Sequence, residues 1–500
     1  MASSLYRQVG TLLSVACLAS GPAGAQWMGY GNDPQHTALS ATGAQPLQQV
    51  VWQTPVDYHY GGQLAHYGSP LITGANTVLV PVRNDAFGWQ VEARSGSTGS
   101  LLWTQTSDYT PPSNGWLVPY SPTLAPIAGS TRLYYAGAGG TVYYRDALDT
   151  PGAVAPTQLA FYGLAEYRAN PSLYDNNLRI NTPITADRQG NVYFGYQSSV
   201  PGLGSGIARI APGGVATYSA VGLPQMQSAP ALSNDGGTLY MALNNGFLAA
   251  YDSTTLALKS QVAIAGLNTL STAAPTIGPD NDVYFGTLAG FGFRGNLLHF
   301  SADLQTTKIP GSFGWDTTAS IVPASMVPGY VSAAGSTYLL FTKYNSYGYN
   351  GGQDKIAILD PNVTQVDPLT GQIDMLEVMT QASPQLAEWC INSAVVDPAT
   401  GSVYANNEDG SLYRWDLATN TLSQSLVLTG GALQPYTPTV IGPDGTVYAI
   451  GAGQLFAVGA VPEPPKALLA AVGALGLWWR CRRSRSPAMS GSAAPPRFRQ

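Results

Sequence analysis

Charge is scarce in this 500-residue chain: 10% of its residues are Asp, Glu, Lys or Arg, where a globular domain ordinarily carries about a quarter. Cysteine is scarcer still. Of its 3 cysteines, Cys17 and Cys481 sit near the ends, leaving Cys390 alone in the body, so no intramolecular disulfide staples that body and stability must come from a buried core. The 4 histidines (His36, His59, His66 and His299) have no Cys or His-Glu spacing that would suggest a zinc site. There is no Gly-x-Ser-x-Gly elbow and no vicinal cysteine pair. Setting aside Arg7 and the seven basic residues after Ala460 leaves 14 basic against 27 acidic side chains, a net charge of −13. A body so charged repels nucleic acid and anionic membranes.

Glycine (57) and proline (37) are plentiful, which marks a turn-rich chain. Its first 25 residues have the layout of a cleavable secretory signal: Arg7, an apolar run from Thr11 to Ala19, then small residues at Ala23 and Ala25, so the exported chain is expected to begin at Gln26. Cys17 leaves a lipoprotein reading open, although Ser14 stands where a lipobox usually has leucine.

The other end joins Val461, Pro462, Glu463 and Pro464 to an apolar stretch from Ala467 to Trp479, with Arg480, Arg482 and Arg483 directly after it. In this order the three elements resemble the PEP-CTERM sorting signal of Gram-negative bacteria. The resemblance implies recognition by an exosortase, a membrane transpeptidase that cuts near the Pro-Glu-Pro motif, and membrane attachment through a short C-terminal helix at least until that cut. The apolar stretch is shorter than the roughly 20 residues of a membrane helix, and an uncut anchor with its basic cluster inside is the alternative. The expected organisation is 1–25 signal, 26–460 body, 461–483 sorting signal and 484–500 a disordered basic tail.

Within the body one pattern returns every 45 residues or so: a small residue and proline, a short apolar strand, a turn at Asp, Asn or Gly, then an aromatic-rich strand. Ser69-Pro70-Leu71-Ile72, Ala229-Pro230-Ala231-Leu232 and Thr437-Pro438-Thr439-Val440 begin such units, and Asp282-Val283-Tyr284-Phe285 and Thr446-Val447-Tyr448-Ala449 are second strands. Alternation of polar with β-branched or aromatic residues gives strands, and Asn234-Asp235-Gly236 or Pro443-Asp444-Gly445 gives hairpin turns. Four antiparallel strands per unit make a blade, so the predicted fold is an all-β propeller. Starts near Ser69, Ser121, Thr182, Ser228, Ala273, Ser320, Asn392 and Thr437 predict eight blades, with seven and an insertion as the alternative because the sixth is weakest. The last unit lacks a fourth strand, whereas Val50-Val51-Trp52-Gln53-Thr54 matches the outer strand Leu101-Leu102-Trp103-Thr104-Gln105 and has no blade of its own. The N-terminal strand is therefore expected to complete the last blade and close the ring.

Gly29 to Thr37 and the run from Val91-Glu92-Ala93 to Thr98-Gly99-Ser100-Leu101-Leu102-Trp103 resemble the lead-in and blade signature of the PQQ-binding-like propellers. That resemblance implies one of two roles: a quinoprotein dehydrogenase holding pyrroloquinoline quinone (PQQ) and calcium on the axis, or a non-enzymatic scaffold such as the propeller of the outer-membrane barrel-assembly machine. The missing cysteine pair and the scarcity of cations, which a tricarboxylate cofactor needs, favour a chain that is not an enzyme and has no cofactor. Gly202 to Gly206 reads as a hairpin loop rather than a phosphate cradle, and Asp280-Asn281-Asp282 as a turn rather than a calcium site. The segments leading into first strands carry His66, Trp116, Tyr120, Asn181, Trp315, Trp389, Asn392 and Tyr436. Rings beside amides suit a neutral sugar, so these are the candidate ligand-binding residues, with packing between blades as the competing role. The function expected is a surface-sorted binding or scaffold module engaging exopolysaccharide or envelope proteins.

Overall fold

A computed structural model describes residues 27–61, 66–84, 88–112, 120–264, 271–288, 296–344, 354–368, 370–389, 391–430 and 437–461, with Arg497 and Arg499. The signal at 1–25, the sorting residues from Pro462 to Arg483, and Trp116, Cys390 and Tyr436 lie outside the described residues. Contacts divide the chain into a unit ending at Gly459 and a second from Ala460 to Gln500. No helix among the described residues is long and apolar enough to cross a membrane.

Eight antiparallel sheets form among the described residues, one at each expected start. Blade 1 spans 71–107, blade 2 123–160, blade 3 178–219, blade 4 231–263, blade 5 276–300, blade 6 320–382, blade 7 395–427 and blade 8 440–459. In the sequence the sixth unit is the weakest, yet blade 6 has four strands, the outer two forming a long hairpin of Lys355–Val366 with Ile373–Ala382. That hairpin occupies the long stretch between the second strand of blade 6 and blade 7. Blade 5 has three regular strands, and its fourth place is taken by single bridges at Thr307 and Gly311. The blade-6 hairpin reaches this irregular edge, where Met375 N–H donates to Pro310 O at 2.8 Å.

The hairpin turns follow the chemistry expected of them: Gly236 and Gly445 adopt φ of +74° and +83°, which an L side chain resists. Blade faces bury aromatic and β-branched residues against their neighbours. Phe161 of the blade 2 connection stacks on Tyr196 of blade 3 with ring centroids 4.5 Å apart. Each such fully buried ring stabilises the fold by about 1.5–3 kcal/mol relative to exposure.

The ring closes as the strand match predicts. Gln49–Pro55 pairs antiparallel with Gln454–Gly459 and becomes the outer strand of blade 8. Trp52 Nε1–H donates to Gly96 O of blade 1 at 2.7 Å, and its counterpart Trp103 in blade 1 donates to Leu148 O of blade 2 at 2.7 Å. The two matching strands thus make equivalent contacts to the next blade.

Ahead of that strand, residues 27–45 form a strap across the axis at the end where first strands finish. Its main chain bonds seven blades in succession: Trp27 to Ile72, Met28 to Leu124, Pro34 to Leu232, Gln35 to Ile277, Thr37 to Ile321, Ala38 to Val396 and Gln45 to Gly445. At blade 3 it turns instead, through Gly31 and Asn32 at φ of +63° and +75°. Asp33 holds this turn by accepting the N–H groups of Gln35 and Thr37 at 3.1 and 3.0 Å. The segment that resembles the PQQ-like lead-in is therefore an axial clasp.

The candidate axial site

The segments leading into the first strands converge at the opposite end of the axis, and their polar side chains meet there. Asp316 of blade 6 accepts the Thr272 N–H at 2.6 Å and the Thr272 hydroxyl at 2.7 Å through Oδ1, while its Oδ2 lies 4.0 Å from His66 Nε2 of blade 1. Blades 1 and 6 are not ring neighbours, so this contact spans the axis. Asn392 of blade 7 donates to Thr272 O at 3.1 Å, and Thr318 N–H donates to Asn392 O at 2.9 Å. From the strap, Tyr30 extends into the same cluster, its hydroxyl 2.7 Å from Thr318 Oγ1 and 3.2 Å from Thr272 O. Burial pushes the Tyr30 phenol far above its ordinary range, so it remains a neutral hydrogen-bonding group.

His66, Asn392, Thr272 and Asp316 are all buried. Asn181, on the lead-in to blade 3, donates to Pro224 O at 2.9 Å and accepts the Gln227 N–H at 3.0 Å through its carbonyl. Its side-chain Oδ1 has no hydrogen-bond partner, nor do Ser228 Oγ of blade 4 and Ser393 Oγ of blade 7, although all three are buried. Buried polar atoms are normally satisfied, and these three, like the Tyr120 hydroxyl, lie on lead-in segments without a partner.

Of the sequence candidates, the structure brings His66 and Asn392 into one cluster, and Asn181 lies on the same lead-in segments. Tyr120 is stacked between Trp89 and Tyr109 at 5.2 and 5.7 Å, and Trp389 packs on Tyr413 at 5.6 Å. Both rings are buried at blade junctions and offer no face to a ligand. Trp315, beside Asp316, is half-buried. The glycine run at 202–206 lies in the hairpin between Val192–Ser198 and Gly206–Ile210. Asp280 accepts the Asp282 N–H at 3.1 Å and the Tyr338 hydroxyl at 2.8 Å, which is turn chemistry. Burial raises the Asp282 carboxyl, but bonds from His299 and Lys308 outweigh it and hold it below its ordinary value.

A second constellation escaped the sequence. After blade 2 come two short helices, Leu164–Ala169 and Pro171–Asn177, the second opened by proline at its first turn. They stack Tyr174 on Tyr162 at 4.3 Å and join Tyr167 to Asp175 at 3.1 Å, near Tyr143 bonded to Asp108 at 3.0 Å. The tyrosine spacing at 162, 167 and 174 was the available signal, but helices so short have no propensity signature.

The axial donors do not suit PQQ and calcium. Three carboxylates of such a cofactor would meet Asp316 with only His66 able to carry positive charge in the described cluster. Calcium wants 6–8 oxygens, commonly with several carboxylates, and no group of three metal-ligating side chains occurs among the described residues.

No protein-family model and no curated protein matches this sequence. Solved structures do. A europium-containing methanol dehydrogenase has a TM-score of 0.53 at 13% identity, with 86% of this chain and 89% of that chain covered. The quinohemoprotein alcohol dehydrogenase of Comamonas testosteroni has a TM-score of 0.55 at 12% identity over 88% and 82%. Saccharomyces cerevisiae Sqt1 has 0.51 at 10% identity over 82% and 100%. At these identities the likeness concerns the fold, and this chain is a β-propeller protein. Fold alone assigns no chemistry.

Proposed function

We propose that this chain is an exported, surface-sorted propeller that binds a neutral, hydroxyl-rich ligand such as matrix polysaccharide at the axial lead-in segments and catalyses no reaction. The observation that carries the reading is the set of buried, unpartnered atoms Asn181 Oδ1, Ser228 Oγ and Ser393 Oγ around a cluster with a single carboxylate. Hydroxyl groups that both donate and accept would satisfy such atoms without bringing in charge. Export and sorting are supported by Ala23 and Ala25 at one end and by Pro462 to Pro464 with Arg480, Arg482 and Arg483 at the other.

The test is a glycan array probed with the purified protein and with an Asn181→Ala, Trp315→Ala double variant. Binding by the parent and its loss in the variant are expected; equal binding by both would remove the axial reading. Trp389 is left out of this variant because its ring packs on Tyr413 at a blade junction. Dye-linked alcohol or sugar oxidation on adding PQQ and calcium would overturn the non-catalytic reading. Mass spectrometry of the exported chain should find Gln26 at its start and no residues beyond the Pro-Glu-Pro motif.

A further inference from the structure

A groove of about 570 Å³ opens between blades 4 and 5, away from the axial cluster. It exists because blade 5 has no regular outer strand, so the face of blade 4 that such a strand would adjoin stays open there. Its base is fixed. The buried Tyr240 of blade 4 donates its hydroxyl to Ala302 O of blade 5 at 2.7 Å, and Asn234 N–H donates to Asn281 Oδ1 at 2.8 Å, so both blades are tied across it.

Two carboxylates stand on opposite walls, each held by its own turn. Asp235 Oδ1 accepts the Ser233 hydroxyl at 2.5 Å and the Gly237 N–H at 2.9 Å. Asp303 Oδ1 accepts the Ser301 hydroxyl at 2.6 Å and the Gln305 N–H at 3.1 Å. In both, these bonds hold the carboxyl below its ordinary range, led by the serine hydroxyl, so both stay ionised. Each uses only one oxygen and keeps Oδ2 for a ligand. Lys259 Nζ donates to Gly237 O and Thr238 Oγ1 at 2.8 and 2.9 Å, which leaves one of its three protons unused. Ser260 Oγ is shielded from solvent with no hydrogen-bond partner.

This lining accepts at two carboxylates, donates at an ammonium and does either at a hydroxyl. An anion would face two carboxylates and a cation would face the lysine, whereas a vicinal diol donates to a carboxylate and accepts from an ammonium at once. The volume lies within the range of ordinary small-ligand sites. We propose that the groove between blades 4 and 5 is a saccharide subsite, with Asp235, Asp303 and Lys259 as its contacts. It rests on the reading above for the ligand's class but uses none of the axial residues.

The experiment is isothermal titration of the purified full-length protein with cellotetraose, mannotetraose and tetra-N-acetylchitotetraose, alongside acetylation of Lys259 followed by mass spectrometry. At least one sugar is expected to give saturable heat and to slow Lys259 acetylation in the parent protein, a readout that needs no variant. An Asp235→Asn, Asp303→Asn double variant with unchanged melting should bind that sugar at least 10-fold more weakly, while Asn181→Ala leaves the groove's affinity unchanged. Absence of heat and of protection with all three sugars overturns the proposal, and so does equal affinity in the double variant. If Asn181→Ala alone abolishes binding, the axial reading stands and the groove falls; if only the carboxylate variant does so, the groove stands and the axial reading falls.

Discussion

His36 shows how much a single residue of the strap depends on its surroundings. Its ring is fully buried, edge-on to Tyr30 at 5.3 Å, with Nδ1 2.7 Å from Pro275 O. Burial pushes the imidazole from 6.5 down to about 4. Because the folded value is depressed, the unfolded chain takes up a proton first as pH falls. The His36 contribution is intact above pH 6.5 and is lost between there and pH 4, by up to roughly 3 kcal/mol. Asn tolerates the observed φ of +58°, so His36→Asn should flatten the fall in urea midpoint from pH 7 to pH 4.5. An unchanged slope would place the pH dependence elsewhere. At the same scale, Trp389→Ala should cost about 3–5 kcal/mol by leaving a core cavity, whereas Trp315→Ala, at a half-buried site, should cost far less in the same urea titration. The sequence presents these two tryptophans identically, each just ahead of a first strand. The packed ring tells them apart: Trp389 is fully buried against Tyr413, whereas Trp315 is half-buried.

Among the elements, strands and their order were legible because alternation, turn residues and the 45-residue period all point the same way. The match of Trp52 to Trp103 was legible for a physical reason. Both indoles fill the same place, over a turn of the next blade, and Gly99 lies so close to Trp52 that a Cβ there would come within 2.7 Å of the ring. Trp52→Ala should therefore loosen the joint between blades 8 and 1 by about 3–5 kcal/mol. Trp52→Phe should lose about 1 kcal/mol for the bond to Gly96 O, together with a smaller packing loss. Equilibrium unfolding in urea checks both; an alanine variant no less stable than the phenylalanine one would show that the ring is not what joins the blades. What stayed hidden had no periodic signal. The strap binds through main-chain groups, to which side-chain patterns are blind. The blade-6 hairpin covers blade 5 through a contact set by length rather than by residue type. The axial site was half legible: the residue types were placed on the right segments, but the contacts that lock Tyr120 between Trp89 and Tyr109 come only from the packed ring.

For the molecule as a whole, closure is carried by its beginning. Residues 27–45 satisfy first-strand main-chain groups in six blades and bond the first hairpin turn of blade 8, and Gln49–Pro55 covers the edge of Gln454–Gly459. The segment after it continues the clasp: Val56 O accepts the Arg83 N–H at 2.9 Å, and Arg83 is paired with Asp57 at 3.4 Å, which ties the closing strand to blade 1. With no disulfide available to hold the ring, this non-covalent clasp replaces a staple. A protein lacking residues 26–55 should therefore present an unpaired strand edge on blade 8 and six first strands with unsatisfied main-chain groups, the condition that favours edge-to-edge association. Light scattering after size exclusion should show concentration-dependent species of the truncated chain larger than those of the parent. Adding a peptide of residues 26–55 in excess should restore the parent's size and raise the melting temperature as its concentration rises, because it binds only the closed ring. A truncated chain that keeps the parent's size and melts with it would mean that blade packing alone closes the propeller.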